Sequence, residues 1–144
     1  MITVLEFIEP TCPYCRYVYY YVLRDILVRR DEFNRMMMQQ NIQKRIPYFD
    51  IKQIDIVANR GTVEEQWFSW YSTKIGGRYT PLIKINDDCF YLWTGKKNEE
   101  LEEDKISRTD KLKSDIIKAL VSDNFEKEVP LFDKGLMNNL RGGI

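Results

Sequence analysis

Cys12-Pro13-Tyr14-Cys15 sets two thiols three residues apart, a few residues after the apolar segment Ile2-Thr3-Val4-Leu5-Glu6-Phe7-Ile8. Two cysteines at that spacing can ligate a metal, staple a loop or exchange electrons with another thiol, and each use makes a demand on the rest of the chain. A zinc site takes about four ligands, whereas the 144 residues supply one further cysteine, Cys89, and no histidine. Carboxylates would have to complete such a site. A cluster bridging two subunits pools ligands from both chains and stays open on ligand counting alone. A redox pair makes the smallest demand and is the reading favoured here. The absence of histidine also removes the usual general base and every Ser-His or Cys-His arrangement.

Bulk properties narrow the setting. The length suits one domain with a core that needs no disulfide staples. Lys and Arg number 22 and Asp and Glu 22, so no global field attracts nucleic acid or an anionic membrane, and neither is expected as a partner. No apolar run approaches the roughly 20 residues of a membrane span, and the N-terminus lacks a basic segment followed by an apolar stretch and cleavage site. Three cysteines are too few, and odd in number, for a secreted disulfide scaffold. A cytoplasmic location is expected.

The elements that must position the thiols follow from composition and period. Residues 2 to 8 are rich in β-branched and aromatic side chains and predict a strand, with Pro10 as a stop. Pro13 suits the first turn of a helix, where its missing N–H costs nothing. Val18, Val22 and Ile26 then recur at helical spacing, and Phe33 and Met37 extend the stripe toward Gln40. One long helix, or two with a break near Arg29-Arg30-Asp31, fits equally. Residues 50 to 57 predict a second strand. Thr62 to Lys74 predicts a helix through Val63, Trp67, Trp70 and Tyr71, stopped by Gly76-Gly77, which lacks the context of a phosphate loop. Residues 81–85 and 89–93 predict a hairpin with its turn at Asn86-Asp87-Asp88. A helix is expected from Asn98 to about Val121, acidic early and basic later. Residues 122–144 have weaker periodicity and are expected to be a C-terminal extension of a domain spanning 1–121.

Strand, helix, strand, helix, hairpin, helix implies an α/β fold: a four-stranded mixed sheet flanked by helices. With Cys12-Pro13-Tyr14-Cys15 at the first strand–helix junction, this order resembles the thioredoxin fold, and the motif resembles that of dithiol glutaredoxins. Gly77-Arg78-Tyr79-Thr80-Pro81-Leu82-Ile83-Lys84-Ile85-Asn86 is similar to the segment that carries the cis-proline of that family. The resemblance covers residues 1 to about 121. The extended first helix and the C-terminal appendage are additions to it. It implies a thiol–disulfide oxidoreductase that reduces protein disulfides and needs no bound cofactor. It further implies a cis bond before Pro81, with Pro81 lying against the dithiol and Thr80 offering backbone N–H and C=O to an extended substrate segment. Glutaredoxins carry a lysine three residues before the first cysteine, where this chain has Glu9. They carry Gly-Gly-x-Asp after the hairpin, where it has Thr94-Gly95-Lys96-Lys97. A reductase or other thiol is therefore expected as electron donor, and glutathione is expected to serve poorly.

Position assigns the two thiols different roles. At a helix N-terminus Cys12 faces unpaired N–H groups and the positive end of the dipole, which favour a thiolate, so Cys12 is expected to attack. Cys15, one turn further in, is expected to resolve the mixed disulfide. Pro13 stiffens the bridge and Tyr14 is expected to shape the exposed rim. Arg16 and Arg24 recur at helical spacing from the motif, as solvated charges or, for Arg16, as a guide for an acidic partner. Cys89 is expected to be a small buried hydrophobe and not a third redox thiol. Trp67, Phe68, Trp70 and Tyr71 cover more than one helical face, and Met36-Met37-Met38 is expected to fill gaps. The competing reading is a non-catalytic interaction module that keeps the fold and uses its aromatic helix to hold a partner.

Overall fold

The structure is a computed structural model that describes residues 2–91 and 102–125; the side chains of 91, 102–105 and 123–125 are not described. In chain order it forms β1 (Ile2–Ile8), α1 (Pro13–Val18), a π-helical turn (Tyr19–Leu23), α2 (Arg24–Val28) and α3 (Arg30–Gln39). Then come β2 (Phe49–Asp55), α4 (Val63–Ile75), β3 (Leu82–Ile85), β4 (Asp88–Tyr91) and α5 (Glu102–Phe125). The strands make one mixed sheet in the order β2-β1-β3-β4. β1 runs parallel to β2 and antiparallel to β3, and β3 runs antiparallel to β4. Among the described residues no helix is long and apolar enough to cross a membrane.

Helices cover both faces of the sheet. One face packs Val4, Ile83 and Ile85 against Val18, Val22, Leu23 and Ile26 of the first helical run, Phe33 and Met37 of α3, and Leu112, Ile116, Ile117 and Leu120 of α5. The other face packs Phe7, Ile54 and Leu82 against Phe68 of α4, with Trp67 and Tyr71 partly buried beside them. The alternation of β1 divides its side chains between the two: Val4 and Glu6 face the first set of helices, Leu5 and Phe7 face α4.

Local chemistry sets the element ends and corrects several expectations. The second strand stops at Asp55, not 57, because the Asp55 carboxylate accepts the N–H groups of Val57 and Ala58 at 2.9 and 3.0 Å and turns the chain. β3 begins at Leu82, after Pro81, which has no N–H to give a ladder. The first helical stretch breaks at Arg29, whose φ of −97° and ψ of 16° end α2. It also contains a turn that the apolar spacing does not reveal, in which the Arg24 N–H reaches back to the Tyr19 carbonyl in π-helical fashion. α4 is capped by the Thr62 hydroxyl on the Glu65 N–H and closed by Gly76, whose φ of 82° is left-handed backbone that glycine adopts without strain. α5 runs to Phe125, beyond the expected end at 121. The expected ends of the hairpin at 92–93 and of the last helix at 98–101, the segment 94–97 and the extension from 126 onward lie outside the described residues.

Candidate functional site

β1 delivers the chain to the dithiol through a turn in which the Cys12 N–H bonds the Glu9 carbonyl at 3.2 Å. Cys12 is the N-cap of α1, with extended backbone, and Pro13 occupies the first helical position. The Cys12 Sγ accepts the Cys15 backbone N–H at 3.2 Å, so the sulfur does the work that a serine or aspartate oxygen does at other helix starts. Across the fold, the Thr80–Pro81 peptide bond is cis. It brings the Thr80 carbonyl to within 3.7 Å of the Cys12 Sγ, which donates to it. Residues 68 apart in sequence thus meet at one sulfur.

The two thiols are free and unequal. Cys12 is partly exposed, whereas Cys15 is 3 % exposed. Burial, and then the hydrogen bond and charge of Cys12, push the Cys15 thiol far above the usual thiol range; the Glu9 backbone and the Thr80 side chain oppose this and do not offset it. Cys15 rests as a protonated thiol behind Cys12.

A cleft of about 770 Å³ opens over the pair, lined by Ile8, Glu9, Arg16, Tyr19, Tyr20 and Gln53 among others. Gln53 links this cleft to a residue that the sequence reading passed over. Its Nε2 donates to Glu6 Oε1 at 2.8 Å, and Glu6 and Gln53 are directly paired across β1 and β2. Glu6 is completely buried, and its Oε2 has no hydrogen-bond partner among the described residues. Burial pushes the Glu6 carboxyl up from its ordinary 4.5 to about 7, with the Gln53 hydrogen bond lowering it only in part. The available signal was a charged residue amid the apolar run of a strand that two neighbours enclose. A single acid on an alternating strand reads equally well as solvent-facing, so the signal is visible only once Val4 is known to point into the core.

The remaining expected site residues divide. Pro13 is exposed beside Cys12, and Thr80 is half-buried with its carbonyl on the thiol. Pro81, which follows that carbonyl across the cis bond, is buried. Tyr14 does not form an exposed rim: it is half-buried against the main core, because its position four residues before Val18 puts it on the inward side of the helix. Cys89 is half-buried and not fully so; it packs with Trp67 and Tyr71 on the α4 face, in the cluster containing neither Cys12 nor Cys15. Among the described residues no group of three or more His, Cys, Asp or Glu side chains converges to hold a metal ion. Compared with known protein families, with characterised proteins and with solved structures, the chain finds no match.

Proposed function

We propose that the chain is a glutaredoxin-like dithiol oxidoreductase on a thioredoxin-like fold, reducing disulfides of protein substrates. The observation that carries this reading is the inequality of two sulfurs held at one helix start: Cys12 partly exposed at the N-cap, Cys15 buried and protonated behind it. Attack falls to Cys12. Its thiolate displaces one sulfur of the substrate disulfide, that S–S bond breaks, and the departing thiolate takes up a proton. Cys15 then gives up its proton and attacks the Cys12 sulfur, releasing the second substrate thiol. The chain is left with a Cys12–Cys15 disulfide, and two electrons have passed to the substrate. An external dithiol or thiol donor returns them, most readily in a reducing, cytoplasmic setting.

The resolving step needs an acceptor for a proton held by a thiol of high affinity. Solvent entering the cleft over the pair accepts it. Thr80 would offer its backbone to the substrate strand, exchanging the Cys12 hydrogen bond for one from the incoming peptide.

The test uses insulin as disulfide substrate with dithiothreitol as donor. Cys12→Ser is expected to reduce nothing above background, and Cys15→Ser to accumulate substrate as a mixed disulfide on Cys12. A Cys12→Ser protein with the wild-type rate, or a Cys15→Ser protein that captures nothing, overturns the reading.

A further inference from the structure

A second depression adjoins the dithiol cleft. It measures about 600 Å³ and is lined by Pro13, Arg16, Tyr17, Tyr20 and Tyr21. Pro13, Arg16 and Tyr20 line the Cys12 cleft as well, so one continuous surface runs from the attacking sulfur along the first helix. We propose that this surface is a recognition groove for an acidic segment of the substrate, carrying an apolar or aromatic side chain and leading away from the half-cystine that Cys12 attacks; it rests on the reading of Cys12 and Cys15 as a redox pair.

Three features are built for such an occupant. The floor is fixed: the Tyr17 hydroxyl hydrogen-bonds Thr109 Oγ1 of α5 at 2.9 Å, and the Tyr21 ring packs tilted against Tyr17 with centroids 4.9 Å apart. The walls are apolar yet open, with Tyr20 and Tyr21 about half exposed at 49 % and 52 %. The π-helical turn produces this face, because its wider turn buries Val22 and Leu23 together while leaving consecutive tyrosines directed at the cleft and the groove. Rigid aromatic faces with hydroxyl tips bind polypeptide at small entropic cost.

Charge selects the sign of the occupant. No carboxylate lines the groove among the described residues. Arg16 stands at the end nearest the thiol, and Arg24 lies over the Tyr20 ring at 5.7 Å. Neither is in an ion pair among the described residues, a state they share with other surface cations such as Arg60 and Lys118. Glu9 lines the cleft but not the groove, so an acidic segment is repelled on that side of Cys12 and attracted on this one.

Helix geometry sets the spacing. Arg16 lies about 6 Å and Arg24 about 18 Å along the axis from Cys12 at 1.5 Å per residue, which an extended peptide covers in about two and about five residues. Carboxylates at those distances from the half-cystine match the two guanidinium groups. A tripeptide with its carboxylates beside the cysteine does not span them.

The experiment separates the groove from the redox reading. Fluorescein-labelled peptides with serine for cysteine, bearing a tyrosine and either glutamates or lysines at the second and fifth positions after it, are titrated with the whole protein at low and high salt. Anisotropy is expected to show the acidic peptide binding about tenfold more tightly at low salt, the difference closing at high salt. Arg24→Glu is expected to abolish the preference, since Arg16 and the new carboxylate then oppose each other, and Tyr21→Ala to weaken both peptides. In parallel, the same sequences with the cysteine restored as a mixed disulfide with thionitrobenzoate are reacted with the reduced protein, beside 2-hydroxyethyl disulfide. Arg24→Glu and Tyr21→Ala are expected to leave the small disulfide unaffected. Equal binding of acidic and basic peptides, or an acidic preference untouched by both substitutions, overturns the groove while leaving disulfide reduction standing. Selective binding without reaction at any disulfide overturns the redox reading instead.

Discussion

The two faces of the sheet are stabilised differently, and β1 carries the difference in adjacent residues. On the α4 side the buried strand residues are apolar, and Phe7 stacks with Trp67 and Phe68 at centroid distances of 5.4 and 5.2 Å. On the opposite side the same strand buries Glu6 with an oxygen that has no hydrogen-bond partner among the described residues. There, too, Lys113 of α5 is 3 % exposed on a 2.8 Å hydrogen bond to Asp25. The strands are apolar on the α4 side, although α4 itself buries Glu65 and Ser72, the Ser72 Oγ without a hydrogen-bond partner among the described residues. The other side contains polar groups whose burial opposes stability, and it is the face that carries the helix with the dithiol. A buried acid that packing alone would replace with a hydrophobe points to a use outside stability.

The contrast can be broken first at its apolar end. Phe7→Ala empties a fully buried aromatic site and is expected to cost about 3–5 kcal/mol, at every pH at which the protein folds, as read by urea unfolding. A loss confined to one pH range would show that the two faces are not separable.

Glu6→Gln is expected to act in the opposite direction. The folded carboxyl is raised above its unfolded value, so the native state binds the extra proton between about 4.5 and about 7. Wild-type stability therefore falls as pH rises through that window, and the cost is complete above it. A rise from 4.5 to about 7 corresponds to a cost on the order of 3 kcal/mol. The glutamine protein should be more stable than wild type by roughly that amount at pH 8 and no more stable at pH 4, in unfolding curves taken at both. A flat difference across pH would remove Glu6 from the comparison.

Smaller changes sharpen the picture. Thr62→Ala deletes the α4 cap and should cost about 1 kcal/mol while leaving thiol reactivity unaltered, since α4 and α1 pack into different clusters on opposite faces of the sheet. At the cleft rim, Glu9→Lys replaces a repulsion with an attraction for the carboxylates of glutathione. It should speed turnover of a glutathione mixed disulfide by a few-fold, as expected for an exposed pair worth about 0.2–1 kcal/mol. Unchanged turnover would show that residue 9 does not set donor preference.

What was legible beforehand follows the same division. The strand–turn–helix around Cys12, the Gly76 stop and the hairpin are written in punctuation residues whose conformational limits are local. The existence of α4 is legible from its cap and its Gly76 stop, but its buried face is not: of the expected stripe Val63, Trp67, Trp70 and Tyr71, Val63 and Trp70 are exposed, and Phe68 is the fully buried residue. Glu6 was not legible, because burial of one acid is decided by which helices arrive from elsewhere in the chain. Nor was the π turn: Tyr19-Tyr20-Tyr21 suits an α-helix equally, and the wider turn is chosen by what Val22 and Leu23 must pack against. The inward position of Tyr14 is legible in its four-residue spacing to Val18, which outweighs its place inside the exposed motif.

The contacts from α5 to the first helical run also set an order in time. Tyr17 waits for Thr109, and Asp25 for Lys113, partners 92 and 88 residues later. During synthesis the dithiol is made well before α5, and the part of the packing around Val18, Val22 and Leu23 that comes from Leu112 to Leu120 does not exist until those residues follow. At ribosomal speed that interval lasts roughly 5–20 s. For that time Cys15 has no complete interior to hide in, and both thiols are open to whatever oxidant the nascent chain meets.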